Sequence, residues 1–445
     1  MLKTRLKTEK PQINGAITVN NKAEGVGYAN FTEKEDNMIS EIRGMEVLDS
    51  RGNPTVAAEV TLTDGCRAVA IAPSGASTGR FEAHELRDGG KRFGGKGVQR
   101  AVDNINSCIS PTLKALGTLN QSKLDRELCR IDGTDNKSHL GANAMLAVSM
   151  AVARAAARHY RVPLYRYLGG ISDLKLPTPM MNILNGGAHA ANNIDIQEFM
   201  IVPVVGSFSE KLRIGVEVYH ALGTVLKSAG KTVGVGDEGG FAPDLRDDRE
   251  AIEFVLKGIS TAGYSENEVK IALDVASSEW YKDGEYILPK SGEKHSAQSL
   301  CEKWSALLKD YPIISVEDGL GEEDYVGWKM MTEKLSAKAM LVGDDLFVTN
   351  PLRLQNGIKD GIANAVLVKL NQIGTLTETL QVIALAKQAG YTPIISHRSG
   401  ETEDTFIADL AVAVGADYIK SGAPCRTDRT AKYNRLLKIE SELAL

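Results

Sequence analysis

The second half of the chain alternates short, uniformly apolar runs with longer stretches of helical character. Seven such runs follow one another: VGVGDEGG, VKIALDVASS, PIISVEDG, AMLVGDDL, NAVLVKLNQIG, TPIISHRSG and DYIKSG. Short, β-branched runs without a polar face are typical of strands buried on both faces of a parallel sheet. The pattern therefore predicts repeated strand-helix units.

Each apolar run ends in one charged or chemically versatile side chain. These residues are Glu238, Asp274, Glu317, Asp344, Lys369, His397 and Lys420. The last four are about 23 to 28 residues apart, which fits one strand-helix unit of a (β/α)8 barrel. Active sites of that fold gather where the strands end, so we expect these residues to share one site.

The first half of the chain is organised differently. Residues 1–37 are polar and rich in Asn, Lys and Glu, which predicts a disordered N-terminal extension. Residues 38–170 begin with an apparent antiparallel meander and include an Ala-rich helix over 141–160, which predicts an α+β capping domain. The Pro- and Gly-containing break LPTPMMNILNGG then marks the start of a barrel over 171–445.

Composition narrows the functional classes. The 445 residues carry a formal net charge of -5, and 24% of them are charged. There is no basic stripe for nucleic acid and no apolar run of membrane-spanning length. Five cysteines, an odd number without C-x-x-C spacing, indicate neither a disulfide framework nor a zinc site. We expect a cytoplasmic protein.

Three carboxylates at three predicted strand ends indicate a metal site. Asp274, Glu317 and Asp344 offer the oxygen ligands that Mg²⁺ prefers and leave coordination positions for substrate oxygens. The absence of an accompanying His or Cys disfavours Zn²⁺. The alternative is that each carboxylate caps the helix that follows it.

Candidates for acid and base chemistry lie at other predicted strand ends. Lys369, inside an apolar run, is either a base whose pKa is lowered by nearby cations or a structural lysine that neutralises the metal carboxylates. Glu198 and Glu238 would approach the same substrate from the other side. Glu238, flanked by glycines, is alternatively a turn residue.

Two further segments are suited to an anion. SHRSGETED brings together Ser396, His397, Arg398 and Ser399, and an arginine fork with hydroxyl groups matches phosphate. PSGASTG, residues 73–79, has the composition of a mobile lid that closes over an anion. An ordinary polar loop and a linker are the respective alternatives.

Together these motifs resemble the enolase family. LDSRGNPTV, PSGASTG, NGGAHAANN, IQEFM, GDEGG, SVEDG, GDDLFVTN, VKLNQIGT, SHRSGETED and IKSG occur in the family's order and spacing from about Met38 to the end. The resemblance implies a modified eight-stranded barrel whose second strand is antiparallel, with an N-terminal α+β capping domain. It also implies Mg²⁺-dependent, reversible dehydration of 2-phospho-D-glycerate to phosphoenolpyruvate.

The resemblance implies a role for each matched residue. Asp274, Glu317 and Asp344 would hold one Mg²⁺, and Ser77 would join a second that arrives with substrate. Lys369 would take the C2 proton, and Glu238, supported by Glu198, would protonate the departing hydroxide. The substrate would be bound by Gln197, Arg398, Ser399 and Lys420, with His189 and His397 lining the pocket. Two Mg²⁺ would stabilise the doubly charged carboxylate of the intermediate, a pairing of lysine base and metal known for this superfamily.

Several alternatives remain at this stage. A related enzyme that handles no phosphate is disfavoured by Arg398, Ser399 and the lid. A paralogue that acts on a phosphonate analogue is the closer alternative, because the same pocket suits it. A surface adhesin is disfavoured by the complete catalytic set. The resemblance further implies a homodimer or an octamer of stacked dimers, no nucleic acid as primary partner, and a secondary cell-surface or secreted pool.

Overall fold

A computed structural model describes residues 38–76, 78–171 and 174–444. The segment 1–37, for which disorder is predicted, lies outside the described residues, as does Ser77 of the predicted lid. Within the described residues, no helix combines the length and the apolar character needed to cross a membrane.

The described chain opens with a three-stranded antiparallel sheet. Its strands are β1 (Ile39–Leu48), β2 (Pro54–Leu62) and β3 (Arg67–Ile71), with β2 in the centre. Alternate residues of β3 are buried, as expected for a strand with one face toward a core. The predicted meander is therefore confirmed.

A helical layer covers this sheet. The short helices are α1 (Gln99–Asn104), a π-helical turn (Ile105–Ile109), α2 (Ser110–Leu116), α3 (Gln121–Asp132) and α5 (Leu164–Gly169). The central helix α4 (Ala142–His159) packs against β2 and β3 and buries 15 of its 18 residues. Its many alanines allow close approach on every side, and the predicted Ala-rich helix is confirmed.

Eight strands then close into a barrel. In chain order they are β4 (Thr178–Asn185), β5 (Glu198–Pro203), β6 (Val269–Asp274), β10 (Ile313–Glu317), β11 (Met340–Gly343), β12 (Ala365–Val368), β13 (Thr392–Ser396) and β14 (Tyr418–Lys420). A small three-stranded sheet lies between β6 and β10 along the chain: β7 (Tyr281–Lys282), β8 (Glu285–Ile287) and β9 (Lys294–His295). The predicted eight-stranded barrel is confirmed.

The second barrel strand runs opposite to the other seven. β5 pairs antiparallel with both β4 and β6, whereas all other neighbouring barrel strands pair in parallel. Glu198 opens β5 and lies opposite Asp274, which ends β6. The reversal thus brings the start of β5 to the rim where the other strands end.

Helices surround the barrel. They are α6 (Phe208–Ser228), α7 (Asp248–Thr261), α8 (Ala297–Asp310), α9 (Tyr325–Leu335), α10 (Pro351–Asp360), α11 (Leu370–Ile373), α12 (Leu376–Gln388), α13 (Phe406–Ala413) and α14 (Thr427–Leu443). Side-chain N-caps begin several of them, for example Ser207, Asp247 and Ser296. A separate apolar cluster that includes Met200, Leu367 and Ile394 is formed by residues of the barrel strands.

One predicted strand is wrong. VGVGDEGG forms no strand, and Val235 makes one isolated bridge, to Phe241, which directly follows the run. Gly239 has φ of +88°, and a Cβ atom there would lie 2.7 Å from the Cys425 sulfur. A run with this many glycines mimics a buried strand in hydropathy, but its backbone is a turn.

Candidate active site

The carboxyl rim of the barrel carries the predicted residues. Asp274, Glu317 and Lys420 end their strands, while Asp344, Lys369 and His397 follow theirs by one position. One pocket at this rim is lined by His189, Gln197, Glu198, Glu238, Asp274, Asp344, Lys369, Ser396, His397, Arg398, Ser399 and Lys420. Residues remote in sequence therefore share one pocket.

Lys420 is the charge centre of one side of the site. Its Nζ atom lies 2.8 Å from Asp274 Oδ2, 3.0 Å from Glu317 Oε1 and 3.1 Å from Glu198 Oε2. All four side chains are buried. The ammonium is therefore held by three carboxylates, and these raise its pKa well above the ordinary lysine value even though burial acts in the opposite direction.

The buried carboxylates destabilise one another's charged forms. Burial raises the pKa of Glu317 well above its ordinary value, and Asp274 raises it further, which outweighs the opposing effect of Lys420. Burial likewise raises the pKa of Asp318, and the neighbouring Asp345 and Asp344 add to the effect. More negative charge is buried here than the lysines compensate, so the rim favours a bound cation.

The metal ligands predicted from sequence are divided between two ammonium groups. Asp274 and Glu317 contact Lys420, whereas Asp344 contacts Lys369. Two other sets of ligand atoms lie within 4.8 Å of one another among the described residues: those of Asp318, Asp344 and Asp345, and those of His189, Glu198 and Glu238. None of the three predicted ligands caps a following helix, since Ser296, Asp324 and Asn350 cap α8, α9 and α10.

Lys369 is largely buried, with 15% of its side chain exposed, and its amine contacts Asp344 Oδ2. Burial, Arg398 and Lys420 lower its pKa, but the contact with Asp344 outweighs them, and the pKa lies above the ordinary lysine value. This direction is opposite to the first sequence-based alternative for Lys369, a lowered pKa, and the contact with Asp344 is the one that the second alternative describes. The reason is that the carboxylate, and not the surrounding cations, is the nearest charge.

The opposite side of the pocket holds an acidic pair with two histidines. His189 Nδ1 lies 3.5 Å from Glu198 Oε1 and 4.0 Å from Glu238 Oε1. Burial raises the pKa of Glu198 well above its ordinary value, and the charge of Glu238 raises it further. Glu238 also accepts a hydrogen bond of 3.0 Å from Asn182 Nδ2 on β4.

His397 is a neutral imidazole in this arrangement. Burial lowers its pKa to about 3, against the effect of Glu238. Arg429 donates to its Nδ1 atom, so the remaining ring proton sits on Nε2, which lies 3.5 Å from Glu238 Oε2. His397 thus presents a fixed N–H toward the acidic pair.

Several buried polar atoms of the pocket lack a hydrogen-bond partner among the described residues. They include Gln197 Oε1, His189 Nδ1 and His397 Nε2. Unpaired buried polar atoms cost free energy. Their concentration in one pocket is the arrangement expected of a site for a polar ligand.

The predicted anion cradle is tied to the loop 73–79. Arg398 Nη1 lies 2.8 Å from Glu82 Oε2 and donates a bond of 3.1 Å to Asn371 Oδ1. Ser399 Oγ accepts a bond of 2.6 Å from the backbone N–H of Ala76. The two residues predicted to bind phosphate therefore also contact the predicted lid or the segment after it.

Sequence reasoning missed several residues of the site. Asn182, Glu82, Asp318, Gln372 and Arg429 contact the predicted residues but none of them ends an apolar run. Two of them had a local signal. Asp318 directly follows Glu317, and Gln372 lies one helical turn after Lys369.

Comparisons with known proteins agree with this geometry. Residues 39–168 match the family model described as "Enolase, N-terminal domain", and residues 173–445 match "Enolase, C-terminal TIM barrel domain". A curated protein named "Enolase" from Natranaerobius thermophilus is 56% identical over 408 residues, which covers 91% of this chain and 96% of that protein. A barrel with one reversed strand, an acidic rim and two matching domains lead to one conclusion: the chain belongs to the enolase family.

Proposed function

We propose that the barrel rim carries out the dehydration that defines this family, with Lys369 as base and the Glu198/Glu238 pair as acid. As an enolase, the chain is a phosphopyruvate hydratase, a hydro-lyase that acts in glycolysis. One observation carries the assignment of roles. In the closed order of strands, β12 and β5 are four positions apart in either direction, so Lys369 and Glu198 face each other across the barrel.

The residues suited to Mg²⁺ are Asp274, Glu317 and Asp344, with Ser77 for a second ion that arrives with substrate. The surplus of buried carboxylates supports this choice. When bound, Mg²⁺ supplies positive charge that offsets the second negative charge developing on the substrate carboxylate.

The first chemical step breaks the C2–H bond of 2-phospho-D-glycerate. Lys369 accepts the proton at Nζ, and the electron pair moves into the adjacent carboxylate. Lys369 must first be free of its contact with Asp344, because that contact holds its proton. Using Asp344 as a metal ligand would remove this competition.

The second step breaks the C3–O bond and forms the C2–C3 double bond. Glu238 delivers a proton to the hydroxyl, which leaves as water. Burial and the charge of Glu238 raise the pKa of Glu198, whereas the pKa of Glu238 is lowered well below its ordinary value because the neighbouring histidines and Arg429 outweigh burial. We therefore assign the resting proton to Glu198 and propose that it passes through Glu238 to the hydroxyl. His397 Nε2 lies 3.5 Å from Glu238 Oε2, and its lowered pKa disfavours transfer of the proton to the imidazole.

The cradle of Arg398 and Ser399 would bind the phosphate, with Gln197, Lys420 and His189 along the rest of the substrate. Lys420, held by three carboxylates, would face the substrate carboxylate. The PSGASTG segment would close over the cradle. A phosphonate analogue would satisfy the same cradle and is the alternative substrate.

Assembly and location stay predictions. A homodimer or octamer, a cytoplasmic site of action and a secondary surface pool follow from family resemblance alone. The division into 38–170 and 171–445, and the extension before Met38, also stay predictions.

The proposed activity is tested with purified protein, 2-phosphoglycerate and Mg²⁺ by following the absorbance of phosphoenolpyruvate. We expect product formation that EDTA abolishes and added Mg²⁺ restores. Folded protein that forms no product would refute the proposal. Faster turnover of the matched phosphonate would favour the alternative substrate.

A further inference from the structure

We propose that Gln372 and Thr349 are positioning residues that orient the base Lys369 and its partner Asp344. This inference rests on the proposed function, since it assumes that Lys369 is the base. Neither side chain belongs to the residues assigned above to acid, base, metal or substrate, and both are buried.

The two residues form one hydrogen-bonded unit around Lys369. Thr349 Oγ1 accepts a bond of 2.9 Å from the Lys369 backbone N–H and donates one of 2.6 Å to Gln372 Oε1. Gln372 Nε2 in turn donates a bond of 2.8 Å to Asp344 Oδ1. The other oxygen of Asp344 contacts the Lys369 amine, so the chain of contacts returns to the residue where it began.

The direction of each hydrogen bond fixes the chemical identity of Gln372. Its oxygen is the acceptor for a hydroxyl, while its nitrogen faces Asp344 and, at 3.4 Å, Glu82 Oε1. A glutamate here would place a third carboxylate beside those of Asp344 and Glu82, and it would lack the N–H donors that the amide directs to them. Only an amide satisfies all of these partners.

The backbone at Thr349 supports a functional reason for the hydroxyl. Val348 has φ of 43° and Thr349 has φ of 51°, both in the left-handed region. β-branched residues rarely adopt this conformation, because their side chains crowd the backbone there. Glycine or asparagine would be less strained, but glycine has no hydroxyl and asparagine has no side chain of this shape.

The hydrogen-bonded unit also contacts the segment that directly follows the predicted lid. The Gln372 carbonyl accepts a bond of 2.8 Å from the Ala83 N–H, and Glu82 lies between Gln372 and the phosphate cradle residue Arg398. The amide therefore lies between the base, a metal ligand and the segment that contacts the cradle. Misplacement of one element should impair proton transfer more than substrate binding.

The test uses Thr349→Val, which removes the hydroxyl at nearly constant shape, Thr349→Ser, which restores it, and Gln372→Glu. We expect kcat to fall roughly a hundredfold in Thr349→Val and Gln372→Glu, as for a displacement of about 1 Å in a catalytic group. KM for 2-phosphoglycerate should change little, and Thr349→Ser should recover most of the rate. Gln381→Glu, on the exposed face of α12, is the control for the added charge.

Calorimetric titration with Mg²⁺ provides a readout that is independent of turnover. We expect unchanged binding stoichiometry in Thr349→Val and Gln372→Glu, because their sites remain folded. If the number of Mg²⁺ ions bound per chain fell in proportion to kcat, the variants would be partly misfolded. The role of the two residues would then be merely structural, and the inference would be overturned. A kcat within about twofold of the unmodified chain, or equal impairment of Thr349→Ser and Thr349→Val, would also overturn it.

Lys369→Ala distinguishes a failure of the proposed function from a failure of the positioning role alone. If Lys369→Ala keeps its turnover, the proposed function itself fails. If Lys369→Ala is inactive while Thr349→Val and Gln372→Glu turn over normally, only the positioning role fails.

Discussion

At the scale of single residues, Lys420 is the positive charge shared by three buried carboxylates of the barrel rim. Its fully buried ammonium contacts Asp274, Glu317 and Glu198, all of them buried. Breaking a buried ion pair leaves uncompensated charge and costs more than the pair contributes when intact. The site therefore depends on a cation at this position even before substrate arrives.

Lys420→Met should lower the free energy of unfolding by about 3–5 kcal/mol in EDTA, because three carboxylates lose their partner. Urea denaturation followed by circular dichroism measures the change. Excess Mg²⁺ should recover part of this loss, since two of the vacated carboxylates, Asp274 and Glu317, are proposed metal ligands. Lys438→Met, whose side chain is 69% exposed, is the control and should have little effect. Equal stability of the two variants would contradict this description of the rim.

At the scale of elements, the reversed strand β5 and the glycine turn that carries Glu238 decide the geometry of the acid side. The turn is held by Gly239 at φ of +88° against Cys425. Gly234 belongs to the same run but has open space around its Cβ position. The two glycines therefore offer a matched comparison.

Gly239→Ala should destabilise the fold by about 1–3 kcal/mol and reduce turnover, because the backbone conformation and the contact with Cys425 both resist a methyl group. Gly234→Ala should be close to neutral in both respects. Thermal unfolding and steady-state kinetics measure the pair. If Gly239→Ala matched Gly234→Ala in rate and stability, the turn would not constrain Glu238.

Asp404 joins three elements. It accepts bonds from the N–H groups of Ile71 and Phe406 and forms a two-pronged pair with Arg154 at 2.6 Å. Burial alone would raise its pKa, but Arg154 outweighs burial and holds the pKa below the ordinary value of 3.8. The charged form is thus favoured on folding, so this stabilisation is complete above pH 3.8 and is lost as the pH falls through the lower, folded value.

Asp404→Asn should therefore cost about 3 kcal/mol near pH 7, because it leaves the largely buried Arg154, whose side chain is 16% exposed, without its carboxylate partner. Its stability should fall less steeply on acidification below the ordinary aspartate pKa than that of the unmodified chain. Urea titrations across pH 2.5 to 7, about the range in which carboxylates titrate, measure both effects. Asp417→Asn, which removes an exposed partner of Lys175, is the control. Parallel pH curves for the unmodified and Asp404→Asn chains would contradict the assignment.

The sequence predicted most of the barrel strands correctly, but it predicted fewer of the contacts between their side chains. Uniformly apolar runs identified six barrel strands because burial on both faces leaves a clear signal. The run before Glu238 failed because hydropathy does not distinguish a glycine-rich turn from a strand. The direction of β5 had no local signal and followed only from family resemblance. Likewise, the pKa of Lys369 depends on its distance from Asp344, which spacing does not encode.

At the scale of the whole molecule, the folded rim concentrates carboxylates from distant segments, whereas the unfolded chain separates them. Mg²⁺ should therefore bind the folded chain in preference to the unfolded one and raise its stability by mass action. Each tenfold rise in free Mg²⁺ above the dissociation constant should add about 1.4 kcal/mol. Calorimetric unfolding at a series of Mg²⁺ concentrations measures this slope.

Asp274→Asn should weaken the dependence of stability on Mg²⁺ concentration. Asp310→Asn, which removes a surface partner of Arg249, should leave this dependence unchanged. A melting temperature of the unmodified chain that does not vary with Mg²⁺ would contradict the metal site.

The proposed roles of Lys369 as base and Glu238 as acid are tested most directly by exchange of the C2 hydrogen of 2-phosphoglycerate with deuterated water. Mass spectrometry measures this exchange alongside product formation. Glu238→Gln should retain exchange while losing product, because Lys369 still removes the proton but the hydroxyl no longer receives one. Lys369→Ala should lose both exchange and product. Substantial exchange in Lys369→Ala would contradict the central claim that this lysine is the base.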